Sequence, residues 1–483
     1  MKHLLLAAAA CLALAACNSN QEAPRSRIAL QSCRLPGVDS AVRCGTYEVW
    51  EDRAAKSGRR IKLNIAVIPA RISARETDPM FVFAGGPGQG AVSIAAQVQG
   101  IFSRLNDTRD VVLIDQRGTG KSHPLECANK EQPVQAMFED ALPERLVERC
   151  LEGLDADPRQ YITTIAVADI DEVRDALGYN RINVWGASYG TRFALEYLRR
   201  YGDHVRSVVL DGVAPSTMKL PLSFVADGEA ALGKLIDACD AEERCRKAYP
   251  NLRETIESMK GRLAQASTRV SIQDPRTAGR ASISVTENVY LSSLFRPLYV
   301  AELASLLPYG VAAAEEGDFN PLLAQNLQLV DSVAENLSVG LHLSVVCAED
   351  IPRITPEDLA HAAGSFFGTA LVDDFVRACR RWPAGKVPAD FYEPVRSDVP
   401  VLIFSGGIDP ATPPYHAEEV ARTLTKSRHF IAPWIGHGVS THGCAPRLIE
   451  SFVRAGSVDG LDGKCLEKIP RPLFLLPLGN ALD

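Results

Sequence analysis

Val184-Trp185-Gly186-Ala187-Ser188-Tyr189-Gly190 is the stretch on which the fold turns. Arg181 to Trp185 is a short apolar run containing β-formers, as a buried parallel strand requires. Thr191 to Leu198 carries apolar residues at helical spacing and stops near Tyr201-Gly202. Between them, G-x-S-x-G predicts a tight strand-to-helix turn that lifts Ser188 Oγ clear of the sheet. Gly186 and Gly190 are the small residues that let the backbones pass closely there. A serine presented in this way is a candidate nucleophile for acyl transfer.

Working outward, the chain alternates strands and helices. Tyr47–Trp50 and Lys62–Ile68 read as an antiparallel hairpin at a sheet edge. Met80–Phe83, Val111–Ile114 and Val208–Leu210 read as buried strands, and Ile165–Leu177 as an amphipathic helix leading to the elbow. After Pro215 the period turns helical, without regular strand alternation, until strand-like runs resume at Pro400–Phe404 and His429–Ala432. A last helix is expected near Pro446–Ala455. The expected fold is α/β: a mostly parallel sheet flanked by helices, with a mainly helical cap inserted after the strand that follows the elbow helix. The expected divisions are a core over 41–215 and 396–483 and a cap over 216–395.

Acyl transfer needs a base, an acid that orients the base, and donors for the oxyanion. In this class of fold the chain order is Ser, then acid, then His. Asp409, in Gly406-Gly407-Ile408-Asp409-Pro410, follows one apolar strand. His437, in Ile435-Gly436-His437-Gly438, follows the next. Both belong at strand C-terminal ends, where the elbow opens. Asp211 is the rival acid and His442 the rival base, and His429 falls inside a strand. Oxyanion donors are expected from the glycine run Ala84-Gly85-Gly86-Pro87-Gly88-Gln89, at Gly86 or its neighbour, and from the N–H of Tyr189. Neither this run nor Gly118-Thr119-Gly120-Lys121-Ser122 has phosphate-loop spacing, so the second reads as a structural turn with Arg117 as a buried anchor. This chemistry needs no metal or organic cofactor.

Composition narrows the surroundings. The 483 residues are 46% hydrophobic and 23% charged with a formal net charge of −7, and no long basic run suggests nucleic acid as a partner. Residues 1–17 read as an export signal: a basic start, an apolar run too short to span a bilayer, then Leu14-Ala15-Ala16-Cys17, which resembles a lipobox. Lipidation at Cys17, a polar tether over 18–40 and an outer-membrane lipoprotein facing the periplasm are the expectation. The lipid anchor would be the contact with the membrane. Of twelve cysteines, ten remain after Cys11 and Cys17. An even number in an oxidising compartment argues for disulfides, and they fall as neighbours: Cys33/Cys44, Cys127/Cys150, Cys239/Cys245, Cys347/Cys379 and Cys444/Cys465. Many other connectivities are open to ten cysteines.

G-G-P-G-Q, D-Q-R-G-T-G, W-G-A-S-Y-G-T and G-G-I-D-P-A-T-P together resemble the α/β-hydrolase aminopeptidases, over roughly 40–215 and 395–470. Cys347-Ala348-Glu349-Asp350 and Trp382-Pro383 are similar to the cap of the secreted tripeptidyl aminopeptidases, and 396–483 to that branch's C-terminal region. Ala84 stands where prolyl aminopeptidases usually have His, which argues against strict single-proline specificity. The resemblance implies release of residues from the free N-terminus of peptides. Reading an ammonium group needs carboxylates aimed into the cleft, and Glu349 and Asp350 are the candidates. A carboxylesterase or lipase could use the same triad. A lipase cap should be apolar, whereas this one carries Asp227, Glu229, Glu315, Glu316 and Asp318. A non-catalytic binding protein would be expected to lack a triad member, and none is lacking.

Overall fold

The computed structural model describes residues 27–73, 75–127, 144–273, 278–334 and 337–477. The lipobox, with Cys17, lies outside them. Eleven strands are found among the described residues: β1 Gln31–Cys33, β2 Val42–Trp50, β3 Arg60–Ile68, β4 Met80–Phe83, β5 Val111–Ile114, β6 Ile182–Ala187, β7 Val205–Asp211, β8 Thr268–Gln273, β9 Arg280–Val285, β10 Val401–Gly406 and β11 Ser427–Ala432. Nine form one sheet in the order β1-β2-β3-β5-β4-β6-β7-β10-β11. β1, β2, β3 and β5 pair antiparallel, and every pairing from β5 through β4 to β11 is parallel. The elbow strand β6 therefore sits in the middle, buried on both faces.

Alternation along β6 divides the core. Val184 faces the helices Thr163–Leu177 and Tyr189–Tyr201. Trp185 faces the opposite layer, where Ala95–Ile101 and Ala445–Ala455 pack. The helix Ala445–Ala455 places Leu448, Ile449, Phe452 and Val453 on its buried side, at the i, i+1, i+4, i+5 spacing of a single apolar stripe. The turn after β5 is braced as its sequence suggests. Arg117 is fully buried, forms two hydrogen bonds to Asp169 at 2.6 and 2.8 Å, and donates to the carbonyls of Trp50, Glu51 and Gln160.

Between β7 and β10 lies the mainly helical segment, with its own apolar core around Leu235, Ile256, Leu294 and Leu322. Three expectations need correction. The cap contains a two-stranded antiparallel hairpin, β8–β9, whose alternating residues Ile272, Ala281, Ile283 and Val285 add to that core. Residues 27–40 are not all tether: Ile28 is buried, and β1 joins the sheet, fixed by the Cys33–Cys44 bridge. The end of the second core segment also departs from the sheet. Phe474 is buried in the cap cluster, Arg471 lies 3.9 Å over its ring, and Leu475 N–H donates to the Ser305 carbonyl.

Among the described residues five disulfides join sequence neighbours: Cys33–Cys44, Cys127–Cys150, Cys239–Cys245, Cys347–Cys379 and Cys444–Cys465. They suit an exported protein in an oxidising compartment. Among the described residues no helix is long and apolar enough to cross a membrane.

The elbow depends on missing side chains. A Cβ on Gly190 would lie 2.1 Å from the Phe83 carbonyl oxygen, and one on Gly186 would lie 2.2 Å from that of Gly190. Both contacts are with backbone, which cannot turn away. Gly190→Ala is therefore expected to lower the unfolding free energy by on the order of 2–4 kcal/mol, read as a lower denaturant midpoint. An unchanged midpoint would show that β4 and the elbow can separate freely.

Candidate active site

Four successive parallel strands deliver the candidate residues to one edge of the sheet. Ser188 follows β6, Asp211 ends β7, Asp409 follows β10 and His437 lies beyond β11. Ser188 sits at φ 55° and ψ −128°, the positive φ expected of an elbow serine. Its N–H donates to the Asp211 carbonyl at 2.9 Å. Gly212, the next residue, lies against the His437 ring, with its Cβ position 3.3 Å from Cε1. The glycine run after β4 passes over the serine, and a Cβ on Gly85 would lie 3.1 Å from Ser188 Cβ. Gly86 (φ 110°) and Gly88 (φ 117°) make that turn in a region closed to most L residues.

Asp409 is fully buried and its Oδ2 lies 2.8 Å from His437 Nδ1. The same carboxylate accepts the N–H groups of Ala411 (2.8 Å) and Thr412 (2.9 Å) and the Thr412 hydroxyl (2.7 Å). Burial opposes its charge, but attraction and hydrogen bonding from His437, with the two N–H groups, outweigh burial and hold the carboxyl below its usual range. Burial likewise opposes charge on His437, and Asp409 reverses that effect, so the imidazole protonates above its ordinary value of 6.5. With Nδ1–H given to Asp409, Nε2 is left as the basic nitrogen.

The rivals have other work. Asp211 accepts the Val439 N–H at 2.8 and 3.0 Å and the Ser440 N–H at 2.7 Å, and so anchors the loop behind His437. His442 meets Thr441 Oγ1 at 3.1 Å, and His429 meets Ser405 Oγ at 2.9 Å from within β11.

Glu349 and Asp350 do not face a cleft. Asp350 is fully buried and accepts Arg192 Nη1 at 2.9 and 3.1 Å, with Arg353 Nη2 at 3.2 Å. Glu349 accepts the Thr163 N–H (2.7 Å) and hydroxyl (3.0 Å). The physical reason is charge balance: Arg192 is a cation buried in the elbow helix, and these carboxylates at the end of the cap helix Val339–Glu349 neutralise it. Burial pushes the Glu349 carboxyl up to about 7, with Arg192 pulling it down and Asp350 pushing it further up.

Two residues at the site carry no sequence assignment. Thr412 holds Asp409 from three positions on, a spacing typical of local hydroxyl and carboxylate turns. Tyr299 reaches in from the cap: its carbonyl accepts the His437 N–H at 2.8 Å, and its ring meets the imidazole edge-on at 5.1 Å. No local signal marks it, since the contact spans 138 positions of chain (437 − 299).

Asp211→Asn separates the two acids. The amide would face backbone N–H groups, so stability should fall by about 1–3 kcal/mol; loss of the Asp211 charge, which favours the imidazolium, should move the pH midpoint of activity down while kcat above it is largely kept. Asp409→Asn should cost about 10⁴ in kcat, as loss of the orienting acid does in other triads. Comparable kcat losses for both would reassign the acid.

Comparison with known proteins extends the picture beyond the core. Residues 78–233 match the model of the α/β hydrolase fold, and residues 364–465 match that of TAP-like proteins. The chain is 24% identical to a tripeptidyl aminopeptidase of Streptomyces coelicolor, over 93% of its own length and 88% of that protein. It is 23% identical to the serine protease Hip1 of Mycobacterium tuberculosis, over 89% of its length and 88% of that protein. A shorter match at 30% identity, covering 28% of this chain and 32% of the other, is to a proline iminopeptidase of Neisseria gonorrhoeae. With the elbow, the strand order and the TAP-like region in one chain, this protein is a serine hydrolase of the α/β-hydrolase fold, similar to peptidases over both its core and its cap.

Proposed function

We propose that the protein is a serine exopeptidase that releases residues from the free N-terminus of peptides through Ser188, His437 and Asp409. The observation that carries the acyl-transfer reading is the Asp409–His437 hydrogen bond of 2.8 Å, set at the sheet edge where the elbow opens. His437 Nε2 takes the proton of Ser188 Oγ as the oxygen attacks the acyl carbon. Asp409 keeps the tautomer and balances the imidazolium. The N–H of Tyr189 and one from the Gly86 turn receive the oxyanion. His437 then protonates the leaving amine, and water, deprotonated by the same imidazole, releases the acyl group. Similarity to a tripeptidyl aminopeptidase over 93% of the chain takes in the cap as well as the core, which supports an aminopeptidase of tripeptidyl or prolyl type.

One observation favours a second reading, a carboxylesterase. The carboxylates expected to hold a substrate ammonium are committed to Arg192 and Thr163. Anchoring belongs to the same proposal: lipidation of Cys17 would hold the enzyme at the outer membrane, facing the periplasm.

Three substrates divide the readings: a free-amine prolyl or alanyl peptide anilide, its N-acetylated twin and a short nitrophenyl ester. The exopeptidase is expected to cleave the first and to lose activity on the second. Turnover of the ester alone would establish the carboxylesterase. Ser188→Ala should lower kcat on the order of 10⁶.

pH dependence follows from the base. Catalysis requires neutral His437, whose charged form Asp409 favours. As pH falls through that raised value the base is lost, so kcat/KM should fall with a one-proton slope and a midpoint above 6.5. A midpoint below 6.5 would mean that Asp409 does not stabilise the imidazolium.

A further inference from the structure

The cap helix Val339–Glu349 touches both loops to which the oxyanion donors are assigned. At its start, the Ser338 N–H donates to the Gly88 carbonyl at 2.9 Å, and Leu337 bridges Gln89. His342 Nδ1 lies 2.9 Å from the Pro87 carbonyl; a carbonyl only accepts, so the imidazole donates. At the other end the contact runs through side chains. The Thr163 hydroxyl lies 3.0 Å from Glu349 Oε2 and 2.7 Å from the Tyr189 hydroxyl. With Glu349 ionised its oxygens only accept, so Thr163 gives its proton to Glu349 and Tyr189 gives its own to Thr163. Gln116 Nε2 closes the chain on the Tyr189 oxygen at 3.4 Å.

Thr163, Tyr189 and Glu349 are all buried, so no solvent competes for these bonds. Tyr189 is also the first residue of the elbow helix, directly after the strained Ser188. Its Cα carries both the ring and the backbone N–H, so a ring held at its hydroxyl limits how far that Cα, and the peptide joining it to Ser188, can shift. We infer that Glu349 is a positioning residue: through the Thr163 hydroxyl it fixes the Tyr189 ring, and with it the N–H that faces the substrate oxygen. This rests on the acyl-transfer reading above. It gives the buried carboxylate a part in the reaction without contact with substrate.

Thr163→Val keeps the volume and the N–H to Glu349 but removes the hydroxyl; Thr163→Ser restores it. Each variant, with Glu349→Gln and Tyr189→Phe, is made in the full-length protein. The readouts are kcat and KM on whichever anilide or ester the wild type turns over, the rate at which a fluorophosphonate labels Ser188, and Tm. Thr163→Val and Glu349→Gln should lower kcat and labelling about ten-fold, as a misplaced oxyanion donor does, with KM little changed. Thr163→Ser should recover both rates, and Thr163→Val with Tyr189→Phe should be no slower than either alone. Lowered Tm with unchanged kcat and labelling, or losses that add in the double variant, would overturn the inference. A wild type that does not label at Ser188 would overturn the acyl-transfer reading, and this one with it.

Discussion

Three stretches of backbone share one small volume at the elbow. The end of β4, the end of β6 and the first turn of the elbow helix approach so closely that neither Gly186 nor Gly190 has room for a methyl group. That approach holds Ser188 at positive φ and brings the glycine run after β4 over it. The Ser188 N–H reaches across to the Asp211 carbonyl, so the end of β7 is fixed to the same point. Asp211 in turn grips the loop behind His437. Displacement of the elbow would thus move Ser188, the Gly85–Gly88 turn and the loop that carries His437 together.

The core and the Ser188, Asp409 and His437 order are legible in the sequence because each signal is local. A strand, a loop and one polar residue fall within ten positions, and period 2 or 3.6 says which element each belongs to. What escaped is non-local. Glu349 and Asp350 read as free carboxylates until Arg192, 158 positions from Asp350, is folded against them. Tyr299 reaches His437 only through the docking of the cap. The β8–β9 hairpin was masked because its short alternating runs lie among helices and are only half buried. Family resemblance pointed to Glu349 and Asp350 as carboxylates for a substrate ammonium. It did not say that the charges point inward.

Burying Arg192 with Asp350 and Glu349 is weak evidence for stability, since desolvation offsets most of the attraction. Its value lies in registration. Arg192 Nη1 bonds both Asp350 oxygens while Nη2 is held by the Pro215 and Met218 carbonyls, so a small slide of the cap would leave a buried charge unpaired. The Cys347–Cys379 bridge, two residues before Glu349, further fixes that end of the helix.

The C-terminal stretch adds a third connection between the two layers. The cap leaves the sheet after β7 and returns before β10, and the tail comes back to it with Phe474 buried. For the cap to swing on its two connecting segments, Phe474 would have to emerge into water at a cost of roughly 1.5–3 kcal/mol. That would reduce a gaping state by a factor on the order of 10 to 100, before the broken Tyr299–His437 contact is counted. The tail is thus a tie between cap and sheet, and cutting it would loosen first the Tyr299 contact through which the cap steadies His437.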